Sequence, residues 1–160
     1  MTVATIDRRG YLEDPLTPLH WESEFTDLAV VAESLGSAVD VFGHSAGALT
    51  VIGAAPTIPN LRRLALYEPP FRPQDAPPPG EAQIAVAQRM RSLLEADDVE
   101  GLFDTWFTEL AGPSLPDPEA WQAVRDQFIP YTRSLVRELG SDRSVVGPNH
   151  LDGLAAATCL

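Results

Sequence analysis

Lysine is absent from this chain of 160 residues: its eleven basic side chains are all Arg, set against 23 Asp and Glu, for a formal net charge of −12. So acidic a chain is a poor partner for nucleic acid or for an anionic membrane surface, both of which are bound through an excess of basic groups. A single cysteine, Cys159, excludes an internal disulfide and leaves no cysteine cluster for a metal. No apolar run reaches the length of a membrane span, and Met-Thr-Val-Ala-Thr-Ile-Asp-Arg-Arg at the start has no apolar core of the signal-peptide kind. There is no Gly-rich phosphate loop, no spacing of metal ligands and no basic patch with aromatics. A cofactor is therefore not indicated, neither nucleic acid nor membrane is expected as a partner, and the expected address is cytoplasmic.

What the chain does have is one stretch around which the rest can be ordered. Val39-Asp-Val-Phe-Gly-His-Ser-Ala-Gly-Ala-Leu-Thr-Val-Ile-Gly-Ala-Ala55 passes from a short apolar strand, through Gly43-His-Ser-Ala-Gly47, into a helix of small and aliphatic residues. A Ser on a strand-to-helix turn is held in a strained backbone conformation, and glycines two positions either side are expected to make room for the close strand and helix. The helix that follows aims its free N–H groups and the positive end of its dipole at Ser45, where an oxyanion would develop. The pattern Gly-x-Ser-x-Gly is common on its own; the strand before it and the helix after it give it weight.

Around this turn the periodicity predicts a strand at Val3–Ile6, a loop over residues 11–23, and a helix through Phe25, Leu28, Ala29, Ala32 and Leu35 closed by Gly36. A third strand, Leu61–Tyr67, is stopped by Glu68-Pro-Pro70. Six prolines between Pro69 and Gly80 mark a stiff linker. Beyond it the pattern is helical. Ile84, Ala87, Met90 and Leu94 form one stripe; Val99, Leu102, Phe103, Trp106, Phe107 and Leu110 form a stronger one; Asp117-Pro118 opens a third helix that Pro130 should break. The expected class is α/β, with parallel strands joined by crossover helices and followed by a helical cap. Its expected parts are a core over residues 1–70, a linker over 71–80, a cap over 81–140 and a return segment over 141–160.

Three segments resemble the α/β-hydrolase superfamily: Ile6-Asp-Arg-Arg-Gly10, the turn Val41-Phe-Gly-His-Ser-Ala-Gly47, and Leu66-Tyr-Glu-Pro-Pro70. The chain looks most like the small soluble bacterial members that carry a helical cap. The resemblance implies a partial α/β-hydrolase fold whose strands correspond to the fourth, fifth and sixth of an eight-stranded sheet. It also implies that the usual catalytic His and one oxyanion donor fall outside the match, so the chain reads as the middle of a hydrolase, with unpaired strand edges that invite self-association.

By the same resemblance Ser45 is the nucleophile of a serine hydrolase acting on a small ester-like substrate, a carboxylic ester, thioester or lactone. The backbone N–H of Ala46 is its oxyanion donor, and Glu68 is a candidate for the acid. His44, Trp106 and Phe107 are candidate substrate-binding residues. Of the three histidines, His44 precedes the nucleophile with its side chain expected to point away, His20 lies in a loop, and His150 stands well short of the family's position for the base. Weak or absent activity of this chain is the expectation, and the competing reading is a non-catalytic remnant that binds a ligand or partner.

Overall fold

The computed structural model describes residues 2–12, 19–71, 77–111, 117–134 and Val146. These fall into two units: one holds residues 2–12, 19–71 and Val146, the other 77–111 and 117–134. His150, Cys159 and nearly all of the expected return segment lie outside the described residues.

The first unit is built on a two-stranded parallel sheet, β1 (Val39–His44) beside β2 (Leu61–Tyr67). A helix of four residues, α1 (Arg9–Leu12), precedes α2 (Trp21–Ser34), and α3 (Ala46–Ala54) makes the crossover between the strands. The register pairs Phe42 with Ala65 and His44 with Tyr67, so both strands end at the same level. α3 is buried on most sides: Ala48, Leu49, Val51, Ile52 and Ala54 are all within the core. It packs on Trp21 and Phe25 of α2 on one side and on Val39, Val41 and Leu66 of the sheet on the other. Gly53 lets the Phe25 ring lie against its backbone, where a Cβ would come within 2.3 Å of the ring.

Two expectations for this unit need correction. Residues 2–8 form no strand, and Val3 is exposed; a strand is defined by the ladder it joins, and this segment finds no strand partner among the described residues. It is held instead by charge. Arg8 Nε donates to Glu24 Oε2 at 2.7 Å, and Arg9 makes a two-pronged pair with Asp27, both on α2. Secondly, α2 starts at Trp21, inside the expected loop, because the Trp21 side chain adds to the buried face that Phe25 and Leu28 continue. The helix stops as expected, with Gly36 at φ +71°.

In the second unit, α4 (Glu81–Glu95) packs on α5 (Val99–Ala111), and α6 (Pro118–Phe128) follows. Asp117 Oδ1 accepts the N–H groups of Glu119 and Ala120 at 3.1 Å, with Pro118 in the first helical position, as its sequence indicates. A 3₁₀ turn over Ile129–Tyr131 ends α6 at Pro130. The α4 stripe is turned from its expected place: Val86, Met90, Leu93 and Leu94 are half-buried, while Ile84 and Ala87 are exposed. Arg125 ties α6 to α5 through Glu100 at 2.9 Å and Asp104 at 3.1 Å, and Arg133 pairs with Asp97.

Candidate active site

Ser45 sits between the last residue of β1 and the first of α3, with φ 50° and ψ −124°. Few side chains tolerate that region, and such strain persists only where the surroundings enforce it. Three groups do so here. The Ser45 N–H donates to the Tyr67 carbonyl at 2.9 Å, extending the ladder one residue past β1. The Ser45 carbonyl accepts the Ala48 N–H at 2.9 Å, starting the helix. Gly43 lies so close to that helix that a Cβ would stand 2.6 Å from the Gly47 carbonyl oxygen and 2.7 Å from Ala48 Cα. Gly43 therefore meets the steric requirement read from its position. Gly47 does not: a Cβ there would meet nothing within 4 Å, so its place in the pattern has no steric cause among the described residues.

The turn leaves the Ser45 side chain exposed at the C-terminal ends of both parallel strands, the end of an open α/β sheet at which ligands bind. Ala46 and Gly47, the first two residues of α3, have no intrahelical acceptor for their N–H groups, which belong to the positive end of the helix dipole.

Glu68 follows β2 directly and, like Ser45, has a left-handed backbone, φ 49°. Its Oε2 stands 3.8 Å from Nε2 of His44, and the His44 ring lies 5.2 Å from the ring of Tyr67. The structure thus brings Ser45, Ala46, His44, Tyr67 and Glu68 to one strand-end cluster. Tyr67, which fixes the Ser45 N–H and backs the His44 ring, was missed in the sequence; aligning the two strand ends would have found it. The Ser45 hydroxyl itself has no hydrogen-bond partner among the described residues. His20 is the N-cap residue of α2, its side chain making no cap bond.

Trp106 and Phe107 belong to the second unit. With Phe103, which is fully buried, and Trp121 they form an aromatic cluster with ring centroids 4.7–6.2 Å apart. Their rings are thus engaged with one another and with α6. Among the described residues no three or more His, Cys, Asp or Glu side chains are grouped to hold a metal, and no helix is long and apolar enough to cross a membrane.

No curated protein matches the chain. A crystal structure of an alpha/beta hydrolase from Sphaerobacter thermophilus DSM 20745 is similar, at 25% identity and a TM-score of 0.49, over 89% of this chain and 51% of that one. This chain spans about half the length of that protein. The model of a family described as the alpha/beta hydrolase family matches residues 2–157, nearly the whole sequence. The chain belongs to the alpha/beta hydrolase family, whose members are usually hydrolytic enzymes.

Proposed function

We propose that this protein is a serine hydrolase that takes the acyl group of a small ester-like substrate onto Ser45. The observation that carries the reading is the strained backbone of Ser45, φ 50° and ψ −124°, enforced by Gly43 on one side and the Tyr67 carbonyl on the other. A protein bears such strain where the side chain must be presented. In the proposed step the Ser45 oxygen attacks the substrate carbonyl and loses its proton to a base. The tetrahedral oxyanion is met by the Ala46 N–H, and collapse expels the alcohol or thiol, leaving an acyl-enzyme that water then hydrolyses. A Ser favours acyl transfer; an Asp in its place would have pointed to an alkyl-enzyme ester. Glu68 is our candidate for the acid, supported by its place at the same strand end and its approach to an imidazole.

The described residues give Ser45 no His partner, and this favours a second reading, a non-catalytic binding module. Removal of the base from a serine triad costs roughly 10⁶-fold in rate. A fluorophosphonate probe separates the two readings, because it labels only an activated serine. Labelling that Ser45→Ala abolishes supports the hydrolase. A well-folded chain that takes no label overturns it and leaves the binding module.

A further inference from the structure

The ladder between the two strands stops at Ser45, and the residues after β2 show why. His44 stands opposite Tyr67, so one step further on Ser45 stands opposite Glu68. In a parallel pair a residue donates to one position of its neighbour and accepts from the position two further along. Ser45 donates to the Tyr67 carbonyl at 2.9 Å, and its own carbonyl would next take the N–H of residue 69. That residue is Pro69, which has none. The Ser45 carbonyl accepts the Ala48 N–H instead and opens α3. The Tyr67 carbonyl is therefore the last inter-strand contact on which the turn hangs.

The peptide between Tyr67 and Glu68 is planar, so φ of Glu68 sets how that carbonyl lies relative to the chain beyond it. The angle is 49°, as left-handed as the 50° of Ser45. Two constraints enforce it. Pro69 disfavours the right-handed helical region for the residue before it, which leaves extended backbone or a positive φ. Extended backbone would carry the chain straight on past Ser45. Phe71 prevents that: it packs on the cluster of Trp21, Leu49 and Ile52, and its N–H closes onto the Pro69 carbonyl at 2.8 Å. The Glu68 side chain is 69% exposed and comes no nearer than 3.8 Å to His44, so its carboxylate does not require the strain.

We propose that Glu68 is a positioning residue for Ser45 and acts through its backbone. Its left-handed turn holds the Tyr67 carbonyl on the Ser45 N–H, and so keeps the nucleophile strained and presented. This role rests on the reading of Ser45 as nucleophile, and is separate from any part the Glu68 carboxylate plays as acid. Two left-handed residues opposite each other in register, joined through one hydrogen bond, form a single unit. Relaxing one releases the other.

Amide hydrogen exchange of the full chain, read at Ser45, follows the hydrogen bond; fluorophosphonate labelling follows the nucleophile. Asn tolerates a positive φ better than Ala, and Val tolerates it least. Glu68→Asn, Glu68→Ala and Glu68→Val all lack the carboxylate, so differences among them report the backbone alone. Ser45 exchange should quicken in that order, several-fold from Asn to Ala and about tenfold from Ala to Val. Alternate residues of a strand serve the same neighbour, so the N–H groups of Val41 and Gly43 also face β2 and should keep wild-type rates. Labelling of Ser45 should slow in the same order as its exchange quickens. The Asn and Ala variants decide the matter even if Glu68→Val fails to fold. Variants that exchange alike at Ser45 overturn the proposal, as does labelling that does not follow the exchange. A wild-type chain that takes no label overturns the reading of Ser45 as nucleophile itself. One that labels, but whose variants exchange alike, overturns only the part given to Glu68.

Discussion

At the scale of single residues, the two glycines of the Ser45 turn make opposite predictions. A Cβ at residue 43 would press on backbone atoms at 2.6–2.8 Å, which cannot move away without shifting α3. Gly43→Ala should therefore lower stability by about 1–3 kcal/mol, the range for overpacking. A Cβ at residue 47 meets open space within a helix, so Gly47→Ala should be neutral or stabilising by up to about 1 kcal/mol. Urea unfolding of the two variants checks both signs. Arg8 and Glu24 make a second residue-level case. Glu24 is only 3% exposed and makes an ion pair with Arg8 at 2.7 Å. Arg8→Ala leaves a carboxylate in the core and should cost about 3 kcal/mol, whereas Arg8→Met with Glu24→Leu should recover most of that. If the single and double variants unfold alike, the pair does not hold the N-terminal segment.

Among the elements, legibility followed the amount of information that is local. β2, the start of α3 and the start of α6 were readable to the residue or nearly so, because each carries its own local signal: Glu68-Pro-Pro70, the Gly43–Gly47 turn and Asp117-Pro118. Ser45 was readable as a turn for the same reason. Val3–Ile6 was not, since its apolar residues describe a strand but cannot supply the neighbour that makes one. Nor was the tethering of that segment by Arg8 and Arg9, which depends on where α2 presents Glu24 and Asp27. The second of these pairs gives a prediction in pH. The hydrogen bond from Arg9, with its positive charge, holds the Asp27 carboxyl below its ordinary value of 3.8 against a weaker opposing effect of burial. A carboxyl depressed in the folded state contributes stability above its unfolded pKa and loses it as pH falls through the folded one. The contribution should be complete at neutral pH and decay below pH 3.8. Asp27→Asn should flatten stability over that acid range and leave the slope near neutrality unchanged, as acid titration followed by circular dichroism would record.

Over the whole molecule, the arginines and the acids are unequally matched. Arg8, Arg9, Arg62, Arg125 and Arg133 each sit against a carboxylate, yet 23 acids face eleven bases and leave a net charge of −12. Most acids therefore see other acids across the surface, at separations where the field is long-ranged in dilute buffer. Raising ionic strength from about 0.01 M to 0.15 M shortens the Debye length from roughly 30 Å to 8 Å. That removes the distant repulsion and leaves the close pairs of Arg8, Arg9, Arg62 and Arg125, which lie at 2.5–3.1 Å, largely intact. Exposed pairs such as Arg62 with Asp40 contribute little in either condition, so the repulsive change should dominate. The melting temperature should rise with sodium chloride over this interval by about 2–4 °C, the shift that corresponds to roughly 1 kcal/mol in a chain of this size. Sodium sulfate acts also by exclusion from apolar surface, so matching the effect at equal ionic strength with chloride alone isolates screening. A melting temperature that falls with chloride would mean that the Arg–carboxylate pairs, and not the acidic excess, govern the electrostatic part of stability.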